Sequence, residues 1–83
     1  MALNMERRKV RINPHDIDEV TAFVTDMNSF HSDVNGYSDN IVIDVKSYLS
    51  VFGLGRSEFY VEIITASQEE MDRFREVIKK YES

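Results

Sequence analysis

The sequence predicts an α+β fold of two layers, a four-stranded sheet covered on one side by helices. Segments with strand-like alternation and segments with helical spacing follow one another in the order β-α-β-β-α-β-α. Each long helical segment carries one apolar stripe and each strand one apolar face, and two layers bury both kinds of face. The chain has 83 residues, so a single domain over 1–83 is expected. Its 42% apolar content is that of a globular chain rather than a disordered one.

The first strand is expected over 6–12 (ERRKVRI), with Val10 and Ile12 inward, and it ends at Asn13-Pro14. A helix follows. Asn13 can cap it with Pro14 at the first helical position, or Asp16 caps it with Glu19 completing a capping box. Ile17, Val20, Phe23, Val24, Met27 and Phe30 then fall at helical spacing, and the helix should end near Asn28 or Ser29. Two short strands come next, near 32–35 and 40–45. Asn35-Gly36 and Asp39-Asn40 both suit the turn region between them, so the register stays open. Ile41, Ile43 and Val45 alternate with Val42 and Asp44, as a half-buried strand requires. Residues 47–52 (SYLSVF) form one or two helical turns, capped by Ser47 and stopped by Gly53 and Gly55. A strand over 58–65 (EFYVEIIT) precedes the last helix. That helix opens on a capping box, Ser67 with Glu70, and its stripe is Met71, Phe74, Val77, Ile78 and Tyr81.

Composition narrows the function. The net charge of −5 argues against general nucleic-acid binding, which rests on neutralising phosphates. Arg7, Arg8, Lys9 and Arg11 read as the wet edge and outer face of the first strand. No cysteine is present, which excludes disulfides and thiolate metal sites. No metal-ligand cluster, glycine-rich nucleotide loop or nucleophile–base pair appears, so neither metal nor cofactor is expected. No run approaches the length of a membrane span, and a soluble cytoplasmic protein without membrane insertion is expected.

The stretch Lys46-Ser47-Tyr48-Leu49-Ser50-Val51-Phe52-Gly53-Leu54-Gly55 resembles the regulatory loop of the HPr family, the phosphocarriers of the bacterial sugar phosphotransferase system. That loop typically reads Lys-Ser-Ile-x-Gly-Val-Met-Ser-Leu-Gly. Upstream, Phe23-Val24 and Phe30-x-x-Asp33 look like the family's first helix and second strand, and Asp33 to Ser47 keeps its spacing without a gap. The resemblance covers nearly the whole chain, with its specific part in the loop. It implies an HPr-like open-faced sandwich with an antiparallel sheet, and a phosphocarrier or adaptor rather than a turnover enzyme.

The chain departs from the family at the phosphohistidine site. Family members carry Gly-Leu/Ile-His-Ala-Arg-Pro at the start of the first helix. Counting back from Phe23-Val24 places Asp16 at the histidine position, with Asp18 and Glu19 where Arg and Pro should stand. Sliding by one residue brings His15 onto the site but sets Ile17 at the arginine position. A helix start favours an anion. Against that, Asp16, Asp18 and Glu19 place three carboxylates within a turn of His15, each repelling a phosphate by roughly 1–4 kcal/mol at close range. The plain reading of His15 is a surface residue beside a helix cap; the sharper one is a phosphoacceptor, for which Arg56 is a conceivable replacement cation. Asp16 reads as a cap, or as a fixed carboxylate at the phosphohistidine position. His31 reads as an ordinary loop residue.

Ser47 reads as an N-cap and, through the resemblance, as a regulatory phosphosite for an HPr kinase; phosphate at an N-cap is electrostatically favoured. The family's docking face implies partner contacts at Tyr48, Leu49, Phe52 and Val20. Tyr48 and Phe52 are expected exposed, and at least one of Leu49 and Val51 buried. Phosphotransferase-system proteins or a transcriptional regulator are the implied partners. Three readings follow: an adaptor or regulatory protein with impaired His15 transfer, a phosphocarrier with a divergent site, and an unrelated interaction module of the same layout.

Overall fold

The computed structural model describes residues 2–83. Strand β1 spans Asn4–Arg11, helix α1 Ile17–Asn28, β2 Asp33–Ser38, β3 Ile41–Ile43, α2 Tyr48–Phe52, β4 Glu58–Thr65 and α3 Gln68–Ile78. The sheet order is β1-β4-β2-β3, and every neighbouring pair is antiparallel. Two β-α-β units therefore interleave. The connection through α1 carries the chain from β1 past β4 to β2, and the one through α2 carries it from β3 past β2 to β4. β4 is paired on both edges, with β1 and β2, and its Phe59, Val61, Ile63 and Thr65 are all buried on the helix side.

The register left open between β2 and β3 is settled by packing. Gly36 lies inside β2, opposite Ile43, and the turn falls at Asp39-Asn40. A Cβ at Gly36 would stand 2.7 Å from Val45 Cγ1 and 3.2 Å from Ile43 Cβ, so glycine lets the end of β3 close over β2. Asp39 takes the left-handed conformation, φ 53°, which aspartate tolerates in turns. β2 thus runs longer than 32–35, and β3 shorter than 40–45. Ile41 is exposed rather than inward, because it sits at the hairpin end of a three-residue edge strand. Gly36→Ala should destabilise the fold by about 2 kcal/mol through overpacking, read as a lower urea midpoint with an unchanged slope.

The core lies between the sheet and the helices. Phe23 on α1 is fully buried and meets Phe59 and Tyr81 edge-on, at centroid distances of 5.7 and 5.1 Å. Phe30 packs against Phe74 of α3. The chain end returns to β1: Arg11 N–H donates to the Tyr81 carbonyl at 2.7 Å. The Tyr81 hydroxyl donates to Asp26 Oδ2 at 2.6 Å, and Lys80 Nζ shares that oxygen at 2.8 Å. Burial, reinforced by the Asp26 hydrogen bond and charge, pushes the phenol well above its ordinary 10.0. The ionised form is the one the fold disfavours. This contribution is complete below pH 10.0 and shrinks as pH rises above it. Tyr81→Phe should flatten the alkaline fall in stability, measured by urea melts across that range.

Candidate functional site

Helix α1 begins at a self-made anion contact. Asn13 Oδ1 accepts from His15 N–H at 3.0 Å, and Asp16 N–H donates to the Asn13 carbonyl at 3.1 Å. That turn sets Asp16 as the cap. Its Oδ1 accepts from Asp18 N–H at 3.0 Å and from Glu19 N–H at 3.2 Å. Asn13 is not the cap, and Glu19 does not complete the box, since the Asp16 N–H is already taken. The two backbone donors that a helix start offers to an incoming anion are thus filled by the chain's own carboxylate. His15 is exposed beside them, and among the described residues its ring makes no hydrogen bond to protein.

Among the described residues every arginine and lysine is engaged away from His15. The Arg56 guanidinium is paired with the Asp39 carboxylate and donates to Ser38 Oγ at 3.3 Å, which commits it to the β2–β3 hairpin. Arg7, Arg8, Arg11, Arg73 and Arg75 each bind a carboxylate elsewhere. Lys9, Lys79 and Lys80 do the same.

Lys46 has a structural task. Its Nζ donates to the carbonyls of Phe30 and Ser32, at 2.9 and 3.2 Å. The N–H groups of the same loop go to Glu70: His31 and Ser32 each donate to Oε1 at 2.9 Å, and Arg73 binds Oε2 at 3.1 Å. Glu70 therefore does not complete a capping box with Ser67. Ser67 Oγ caps the Glu70 N–H, while Ser67 N–H is satisfied by Thr65 Oγ1. The loop of residues 30–32 is held between an ammonium on its carbonyls and a carboxylate on its amides. Burial works to raise the Glu70 carboxyl, but hydrogen bonds from Ser32, Arg73 and His31 outweigh it and hold it below its ordinary 4.5. Sequence reasoning missed this clamp, because nothing local to Glu70 or Lys46 marks a partner so distant in the chain.

Ser47 caps α2, with Oγ accepting from Ser50 N–H at 3.4 Å, and it is half-buried. The long capping contact leaves the hydroxyl without a short partner among the described residues.

Exposed apolar side chains occur at the start of α1 and on α2. Asn28 Nδ2 donates to the Lys46 carbonyl at 2.9 Å, tying the end of α1 to the start of α2. Ile17 lies about three turns before Asn28, on the same face of α1. α2 has five residues and covers roughly 8 Å, less than half the length of α1. Ile17 is left 59% exposed. On α2, Val51 enters the core, while Leu49 is 78% and Phe52 41% exposed. Tyr48 stacks on Phe52 with centroids 5.8 Å apart and an interplanar angle of 11°. That stacking leaves Tyr48 half-buried, not exposed as expected. Val20 is fully buried and unavailable to a partner, because its stripe position points into the core. Ile17, assigned to the core by its spacing, takes Val20's place on the surface.

Among the described residues no helix is long and apolar enough to cross a membrane. No family model matches the chain, and no curated protein does. Solved structures do. The phosphocarrier protein HPr from Bacillus anthracis str. Ames superposes with a TM-score of 0.71 at 19% identity, over 99% of this chain and 100% of that one. HPr-C-His from Thermoanaerobacter tengcongensis gives a TM-score of 0.61 at 20% identity, over 95% of this chain and 89% of that one. The fold is the HPr-like open-faced α+β sandwich.

Proposed function

We propose that this chain, on its HPr-like fold, works as an adaptor or regulatory protein that docks through α1 and α2 and transfers little or no phosphoryl group through His15. The observation that carries the proposal is the Asp16 carboxylate, bound to the amides of Asp18 and Glu19 where a phosphoryl group would need them. The engagement of every arginine elsewhere supports it. The docking surface is Leu49, Phe52 and Ile17, with Tyr48 bracing Phe52. Its partners are proteins of the sugar phosphotransferase system or a transcriptional regulator, in the cytoplasm. Ser47 is the modification site: a phosphate there would stand at the N-cap of α2 and add negative charge at the start of the helix that carries Leu49 and Phe52.

A two-arm phosphorylation assay tests this, read by intact mass and acid lability. One arm supplies phosphoenolpyruvate and enzyme I, the other ATP and HPr kinase. The expected result is acid-stable phosphate that disappears in Ser47→Ala, with no acid-labile phosphate. Acid-labile phosphate lost in His15→Ala would establish a working carrier instead and sink the adaptor reading.

A further inference from the structure

The docking surface has a charge as well as an apolar centre. Every cation but Lys46 is paired with a carboxylate, as shown above, and the Lys46 ammonium is turned inward onto the carbonyls of Phe30 and Ser32. Among the described residues seven carboxylates have no cationic partner: Asp16, Asp18 and Glu19 at the start of α1, Asp44 just before α2, and Asp33, Glu69 and Glu82 elsewhere. Asp16, Asp18 and Asp44 are exposed. Between Ile17 and Asn28 helix α1 carries acids and no base, and α2 carries no charge. A groove of about 320 Å³ between α2 and β3 extends the surface past Ser50 and Gly53 to Asp44, and the exposed Ile41 and Val42 lie on its far side. Asp16 and Asp18 stand on either side of Ile17 in sequence and Asp44 lines the groove beside α2, so an acidic partner does not suit this face, because like charges set face to face oppose docking.

We infer that the partner of this face is basic: a protein segment that lays apolar side chains on Ile17, Leu49 and Phe52 and brings lysines or arginines to Asp16, Asp18 and Asp44. This rests on the docking reading above and adds the chemistry of what docks. The apolar contacts supply affinity, and the carboxylates choose among apolar segments by the charge of their flanks.

A displayed library tests it. The peptides carry a fixed apolar stripe at helical spacing, with flanking positions encoded equally as Lys or Glu. Selection runs at low salt against the folded chain and, in parallel, against Leu49→Ser, whose fold is checked by circular dichroism. Peptides enriched on the natural chain but not on Leu49→Ser should carry lysine at most flanking positions. Asp16→Asn with Asp18→Asn should weaken a selected peptide roughly fivefold, since two exposed ion pairs are lost, while asparagine keeps the helix cap. Enriched peptides that depend on Leu49 but show no lysine bias, or a glutamate bias, would overturn the charge inference and leave the docking surface standing. A library that gains nothing on the natural chain over Leu49→Ser would overturn the docking surface, and this inference with it.

Discussion

Glu70→Ala is expected to lower the stability of the fold by about 3 kcal/mol, because hydrogen bonds to a charged group are worth roughly 1.5–3 kcal/mol and two backbone donors lose their acceptor together. His31 N–H and Ser32 N–H both end on Glu70 Oε1, and Ser32 is half-buried in the β2 entry. Arg73 also loses its carboxylate, although it keeps the Ser29 carbonyl at 2.6 Å and its place over the Phe30 ring. The same loop is held by Lys46, so the two contacts share one structure. Lys46→Met should cost about 2 kcal/mol alone, and the double variant less than the sum, since a loop already released has little more to lose. Urea denaturation of the two single variants and the double one checks this. Additivity would mean that Glu70 and Lys46 act on separate elements. The pH dependence follows from the carboxyl being held below its ordinary 4.5. The contribution is complete above that value and is lost as pH falls through the folded-state one. Glu70→Ala should therefore also be less sensitive to acid than the natural chain.

The difference between what was and was not legible in the sequence has a physical source. Contacts set by neighbours along the chain were readable: the Ser47 and Ser67 caps, the stripe from Met71 to Ile78, and the alternation of β4 all depend on periodicity or on one turn of backbone. The Asp39-Asn40 turn was not, because Gly36 looks like a turn residue until Val45 is found packed on it. Both capping boxes stayed half-formed for a related reason. A box needs a free N–H at the cap, and Asn13 and Thr65 had already used those donors. Phe52 is exposed as expected from the loop and so is Leu49, while Val20 is buried and Ile17 exposed, the reverse of what was expected. Spacing places both on one helix, and only the packed core separates them, with Val20 fully buried and Ile17 59% exposed. The resemblance brought out the site by contrast. The aligned pattern points to Asp16, which caps α1 through the amides of Asp18 and Glu19.

His15 should accept a phosphoryl group from phosphoramidate no faster than His31 of the same chain. This small donor needs no docking, so it probes the site's chemistry apart from any partner. Both histidines are exposed. A site built to hold phosphate would set His15 well ahead of a loop histidine, since backbone donors and a cation would stabilise the incoming charge. Here the donors at the helix start are occupied by Asp16, and Asp16 and Asp18 add negative charge within one turn of His15. Each such pair costs about 1 kcal/mol near water, less after screening, so two of them slow transfer by roughly tenfold. Asp16→Asn with Asp18→Asn keeps a capping side chain, removes both charges, and should raise the His15 rate about tenfold while leaving His31 unchanged. Site-resolved mass spectrometry after a timed reaction measures both rates in one sample. A His15 rate in the natural chain tenfold above that of His31 would show that the start of α1 does stabilise an incoming phosphoryl group. A rate that stays low in the double asparagine variant would shift the cause from repulsion to the missing guanidinium, because charge removal alone frees no cation to hold the phosphate.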